Sequence, residues 1–145
     1  MLVNREGKAF VGMRIDNKDS GFWQMPQGGV DDGENLQAAA LRELGEETGL
    51  QPEHVEIVAQ LDEELYYDLP PELQGKLWKG KYRGQRQYWV LARLTGEDSD
   101  IDLEADDHPE FCDWKWVEPE ELPGMIVPFK RAIYEAVVAG FRDLI

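Results

Sequence analysis

Residues 9–15 (AFVGMRI) are nearly all apolar and follow a polar turn at 4–7, which predicts a strand over Ala9–Ile15. A loop over Asn17–Gly21 leads to the short apolar stretch Trp23–Met25, which Pro26 stops and Gly28-Gly29 follows. Leu36, Ala40 and Leu44 recur at helical spacing. With Asn35 as N-cap and Gly49 just past the end, they predict a helix over 36–48. Val55–Leu61 reads as a strand that can run on towards Tyr67, broken by Leu69-Pro70-Pro71. Residues 82–94 (YRGQRQYWVLARL) alternate and then turn apolar, as one long strand would. Gly96–Asp107 is an acidic loop, and Phe111–Val117 alternates with period two. Ile126, Phe129, Ile133, Val137 and Phe141 predict a helix over 126–144. No repeat or linker divides the chain, so residues 1–145 form a single domain of α+β or sandwich-like class.

The 36–48 helix has an unusual face. Its apolar stripe turns acidic towards the C-terminal end, because Glu47 lies about three turns beyond Leu36, near the same azimuth. Glu43 and Glu47 are an i,i+4 pair, and Glu43 and Glu46 an i,i+3 pair. Like charges at these spacings repel by a few tenths of a kcal/mol each, and carboxylates at a helix C-terminus oppose its dipole. A divalent cation with a taste for hard oxygen ligands, Mg²⁺ or Mn²⁺, would resolve the conflict. Taken alone, the pattern reads more readily as a solvated acidic face of an acidic protein.

The charge balance narrows the partners. Thirty acidic against fifteen basic residues give a formal charge of −15, which repels nucleic acid at long range, argues against a DNA-coating protein and attracts cations. The single Cys112 allows no intrachain disulfide. No apolar run approaches a membrane span and no secretory segment opens the chain, so a soluble cytoplasmic protein is expected. An EF-hand reading of 28–39 fails, since Gly28 and Val30 would stand at ligand positions one and three. The run Asp98, Asp100, Asp102 fails because Leu103 occupies the place of the turn glycine.

Gly28, Glu34 and Arg42-Glu43-Leu44-Gly45-Glu46-Glu47-Thr48-Gly49-Leu50 stand at the gaps of the pattern G-x5-E-x7-R-E-U-x-E-E-x-G-U, with U aliphatic. This resembles the Nudix box, here at residues 28–50. The resemblance implies a loop–helix–loop within an α/β/α sandwich built on a mixed sheet. It also implies metal ligation by Glu46 and Glu47, with Glu43 joining them or orienting water. Arg42 would position the glutamates, Glu34 would brace the loop, and the Gly28 carbonyl would be a further ligand.

The segments WQMPQGG (23–29), YRGQRQYW (82–89), HPEF (108–111) and PFKR (128–131) stand in the order found in one Nudix branch. That branch comprises the RNA pyrophosphohydrolases and the related diadenosine tetraphosphate hydrolases. The resemblance implies that Glu110 joins the metal site or acts as base; on its own, Glu110 reads as a surface carboxylate ahead of a strand. Lys76, Lys79, Lys81, Arg83 and Arg86 place five of the fifteen bases within eleven positions, interleaved with Trp78 and Tyr82. Such a run fits a polyphosphate clamp beside an aromatic surface, or a basic hairpin balancing acidic neighbours. Lys81, Tyr82 and Arg86 are the candidate substrate contacts. Phe129 is a candidate for stacking on a base or for the core face of the last helix, and Arg14 for covering the other side of that base. His54 reads as a surface residue, His108 as part of the turn before Glu110, and Cys112 as structural.

Members of that branch carry a Y-R-P-x-V-G-like strand ahead of the region matching Met1–Asn4. The chain begins where that strand would end, through a misassigned start or a trimmed fragment, so an incomplete sheet edge and a missing phosphate-reaching arginine are expected. The function implied is a Mg²⁺-dependent (or Mn²⁺-dependent) pyrophosphohydrolase acting on 5′-triphosphorylated RNA ends, on dinucleoside polyphosphates such as diadenosine tetraphosphate, or on both, and a monomer is expected. The alternatives are a housecleaning nucleoside triphosphatase and a non-catalytic nucleotide-binding module of the same fold.

Overall fold

A computed structural model describes residues 1–62, 64–68, 70–71 and 84–145; of residues 17, 67, 68, 84 and 85 it describes the backbone. Among the described residues, seven strands form two sheets. The main sheet contains β1 (Leu2–Val3), β2 (Ala9–Arg14), β3 (Val55–Gln60), β6 (Val90–Leu94) and β7 (Phe111–Val117), in the order β3-β6-β1-β2-β7. β1 runs parallel to β6 and antiparallel to β2; the other pairings are antiparallel, so the sheet is mixed. β4 (Leu65–Asp68) and β5 (Gly84–Gln87) form a separate antiparallel pair, with Tyr66 opposite Arg86.

Period-two alternation gives the main sheet two apolar faces. Val3, Val11 and Leu91 point to one side, where α3 (Arg131–Phe141) covers them with Ile133, Tyr134, Val137, Val138 and Phe141. Leu2, Phe10, Ala92 and Leu94 point to the other, with Leu44 of α1 (Leu36–Thr48) and with Leu50 and Phe111. Helices on both faces make the α/β/α sandwich that the box resemblance implies.

The predicted 36–48 helix is present with its boundaries. The Asn35 side chain accepts from the Ala38 N–H at 2.7 Å, and Gly49 closes the helix at φ 77°, a conformation that disfavours any residue with a Cβ. Three expectations are corrected. Residues 82–94 do not form one strand: 84–87 pair with β4 in the small sheet, while 90–94 pair with β3 and β1 in the large one. The chain changes sheets at Tyr88-Trp89, where the Trp89 carbonyl accepts from the Leu61 N–H at 3.0 Å. The 126–144 helix is shorter. Pro128–Lys130 is a 3₁₀ turn, α3 starts at Arg131, and a short α2 (Leu122–Met125) precedes them. Proline's fixed φ and missing N–H suit a helix start rather than an interior, so Phe129 stands ahead of the helix. Finally, residues 2–3 lie in the middle of the sheet and not at an edge, because β1 bonds on both sides.

Residues 23–25 lead the chain into the site, and three elements hold them. Gly12 and Gln24 exchange backbone hydrogen bonds at 2.8 and 2.9 Å, the Trp23 N–H donates to the Met125 carbonyl at 2.9 Å, and the Met25 N–H donates to the Tyr134 hydroxyl at 2.9 Å. The segment is thus fastened to β2, α2 and α3 before it reaches Gln27 and Gly28.

Candidate active site

Arg42 is the hub of the site. Its Nε and Nη2 grip Glu34 at 2.9 and 3.0 Å, a two-point bridge across eight residues. Nη1 donates to Glu43 at 2.9 Å and to Glu46 at 3.3 Å, and Nη2 donates to the Gly29 carbonyl at 2.8 Å. Glu34 in turn accepts from the Asp31 N–H at 3.0 Å, so its carboxylate ties the loop to the helix. A planar guanidinium with five donors can serve these acceptors together; an ammonium cannot. The hydrogen bonds from Arg42 hold the Glu34 carboxyl below its ordinary range.

Glu47 has no such partner. It is only 1 % exposed, and among the described residues neither carboxylate oxygen has a hydrogen-bond donor in good geometry. Burial pushes its pKa up to about 10, helped by the charge of Glu110 beside it, to which a protonated Glu47 can donate, and by Glu43, while the nearby backbone of Gln27 acts in the opposite direction. Glu43 is also raised, first by burial. Glu110 reaches Glu47 because it immediately precedes β7, opposite the end of β2: its carbonyl accepts from the Ile15 N–H at 2.9 Å, and Arg14 is registered against Phe111. Three segments far apart in sequence therefore meet at Glu47.

Gly28 sits against Glu43 so closely that a Cβ at position 28 would collide with the Glu43 carboxyl group. Among the described residues, no three His, Cys, Asp or Glu side chains stand in a ligating arrangement; Glu43 and Glu46 are turned to Arg42. The donor set nevertheless suits a hard divalent cation. It is all oxygen, and it includes one buried carboxylate with unpartnered oxygens and a glycine that brings its backbone up to a second carboxylate.

The remaining candidates are placed as follows. Arg14 donates twice to Asp16, at 2.9 Å each, and the charges of Glu110 and Glu47 also act on it. Phe129 is half-buried against the main core, and burial together with the charge of Arg14 lowers its neighbour Lys130 to a pKa of about 8. Arg86 lies 3.6 Å from Glu64 and is largely exposed. Lys81 and Tyr82, with Lys76, Trp78, Lys79 and Arg83, lie outside the described residues. His54 is not simply a surface residue: its Nδ1 accepts from the Gln51 N–H at 3.0 Å, and Nε2 lies 3.8 Å from Asp100. Cys112 is exposed on β7. Asp16, Gln27, Gln87 and Tyr134 carry no individual role in the sequence reading; Gln27 and Gln87 stand within the 23–29 and 82–89 segments, whereas Asp16 and Tyr134 belong to no motif and owe their places to the fold.

A cavity of about 460 Å³ opens between α1 and the main sheet, with Gln27, Gly28, Gly29, Glu43, Arg86 and Gln87 among its lining residues. Comparison with known proteins accounts for this architecture. The NUDIX domain model matches residues 1–137. The RNA pyrophosphohydrolase of Novosphingobium aromaticivorans is 64 % identical over 145 residues, all of this chain and 90 % of that protein. That of Erythrobacter litoralis is 60 % identical over all of this chain and 88 % of its own length. Among solved structures, the E. coli dihydroneopterin triphosphate pyrophosphohydrolase superposes with a TM-score of 0.70 at 19 % identity, over 96 % of this chain and 92 % of that one. A C. elegans Ap4A hydrolase complex does so with 0.65 at 19 %, over 99 % and 96 %. With its box helix, its mixed sheet and these relatives, the chain belongs to the Nudix family, in the branch of the RNA pyrophosphohydrolases.

Proposed function

We propose that the chain is a metal-dependent pyrophosphohydrolase that cleaves the phosphate chain of 5′-triphosphorylated RNA ends, of dinucleoside polyphosphates such as diadenosine tetraphosphate, or of both. The observation that carries the reading is Glu47: a buried carboxylate with no well-placed hydrogen-bond donor among the described residues, facing Glu110, at the end of a helix whose other box acids are gathered by Arg42. Keeping such a group ionised is costly unless a cation compensates it. The names of the relatives support the substrate class.

Glu43, Glu46, Glu47, Glu110 and the Gly28 carbonyl would hold Mg²⁺, with Mn²⁺ as a substitute. When bound, the cation supplies charge neutralisation on phosphate oxygens and lowers the pKa of an attacking water. The chain's own residues do the rest. Arg42 keeps Glu43 and Glu46 in place while Glu34 anchors Arg42 to the loop. A carboxylate among Glu43, Glu46, Glu47 and Glu110 takes the proton of the attacking water. Arg14 places positive charge near Glu110, and Lys130 stands near Arg14, so both would bind the phosphate chain, with Phe129 next to Lys130 for a base. Arg86, with Lys81 and Tyr82, would bind further along the phosphates. The expected working form is a cytoplasmic monomer.

The test is turnover of a triphosphorylated oligonucleotide and of diadenosine tetraphosphate in the same Mg²⁺ buffer. Release of pyrophosphate or nucleotide from either supports the proposal. Binding of both without product in Mg²⁺ and in Mn²⁺ would overturn it in favour of a binding module, and marked preference for oxidised dGTP would favour a housecleaning triphosphatase.

A further inference from the structure

The Trp89 indole Nε1 donates to Gln87 Oε1 at 3.1 Å, and Gln87 Nε2 donates to Gln27 Oε1 at 3.4 Å. The direction of this chain is set at its start. An indole N–H can only donate, so Gln87 must present its oxygen to Trp89 and its NH₂ to Gln27. Trp89 is itself immobilised, 4 % exposed and packed edge-on against Tyr134 at 5.9 Å. Gln27 must therefore accept with its oxygen, which leaves its own NH₂ as a donor. Gln27 lines the same cavity as Gly28, Glu43 and Arg86.

We propose that Gln27 is a substrate-binding residue whose NH₂ donates to a phosphate oxygen, and that Trp89, acting through Gln87, is what fixes that polarity. The proposal deepens the function given above and rests on it for the class of ligand. A neutral amide suits this place: it adds a donor for an anionic chain without a cation that would compete for the glutamates.

Glutamate at 87 keeps the shape and still accepts from Trp89, but ionised it has nothing to donate. Gln27 then turns its NH₂ towards position 87 and its oxygen towards the phosphates. Leucine at 87 breaks the chain without inverting it.

The experiment is calorimetric binding of diadenosine tetraphosphate in Ca²⁺ buffer, with melting temperatures, for wild type, Gln27→Met, Gln87→Glu, Gln87→Leu and Gln27→Met/Gln87→Glu. Gln27→Met and Gln87→Glu should each weaken binding about tenfold, the worth of one hydrogen bond to a charged acceptor. Gln87→Leu should weaken it less than Gln87→Glu while melting lower. The double variant should bind as Gln27→Met does, because no amide remains to invert.

A purely structural role predicts the reverse order at position 87, with leucine the worse binder. Repulsion between a new carboxylate and the ligand predicts that Gln87→Glu adds its full loss to Gln27→Met. Either result, or wild-type affinity in Gln27→Met, overturns the proposal. Since binding is read apart from turnover, a wild type that binds without hydrolysing would remove the proposed activity and still leave the role of Gln27 decided by these ratios.

Discussion

Gly28 and Glu43 are packed so that the carboxyl group of Glu43 fills the space a side chain at position 28 would need. Gly28→Ala should therefore displace the far end of a flexible glutamate rather than the backbone. The fold should survive, with melting near that of wild type, while turnover falls about a hundredfold, the cost of a catalytic group moved by roughly 1 Å. Wild-type turnover in this variant would remove Gly28 and Glu43 from the site.

Glu47→Gln keeps the shape of the side chain and removes its charge. Turnover should drop by about 10²–10³, corresponding to about 3–4 kcal/mol of lost transition-state stabilisation. Without metal the variant should melt near wild type at low pH, where Glu47 holds its proton, and above it as pH rises and that proton becomes costly to keep. Added Mg²⁺ should raise the melting temperature of wild type by mass action and that of the variant less. An equal Mg²⁺ shift in both proteins would count against Glu47 as a ligand.

The same carboxylate sets a pH dependence. Its folded pKa, about 10, lies above the ordinary value of 4.5, so the folded metal-free protein holds a proton that the unfolded chain releases. That stability is fully present below pH 4.5 and is lost as pH rises towards 10, at up to about 1.4 kcal/mol per pH unit. Relative to Glu47→Gln, metal-free wild type should lose melting temperature between pH 5 and pH 9; a constant difference between the two would refute the raised pKa. Mg²⁺ should flatten the wild-type curve, because a ligated carboxylate holds no proton.

Arg42→Lys tests geometry against charge. Lysine keeps the positive charge but cannot hold Glu34 at two points while reaching Glu43, Glu46 and the Gly29 carbonyl. Turnover should fall about ten- to a hundredfold. Full activity in the lysine variant would reduce the role of Arg42 to its charge.

Tyr134→Phe leaves the buried Met25 N–H without its acceptor. The expected loss is about 1–3 kcal/mol in denaturant unfolding. An unchanged midpoint would mean that the Met25 amide finds another partner.

The parts of this protein that were legible in its sequence are those decided by near neighbours along the chain. Asn35 caps the helix and Gly49 ends it because both act within one turn of themselves. The spacing of Glu34, Arg42, Glu43 and Glu46 brings them together because a helix and a short loop leave them little other choice. The apolar run 9–15 reads as a strand for the same reason, while the division of Leu2 and Val3, Phe10 and Val11, and Leu91 and Ala92 between two faces shows only once helices cover both sides of the sheet. Tertiary structure decided what depends on partners across the fold. The break of 82–94 into β5 and β6 follows from which strands were available to bond each half, and the central position of β1 from bonding on both sides. The spacing of the helix put Glu47 on the covered face, but its lack of a well-placed hydrogen-bond donor among the described residues depends on what packs over it, and its proximity to Glu110 on the pairing of β2 with β7. Burial and long-range electrostatics belong to the folded molecule, and at Glu47 they turn an ordinary glutamate into one that favours a proton or, as proposed, a cation.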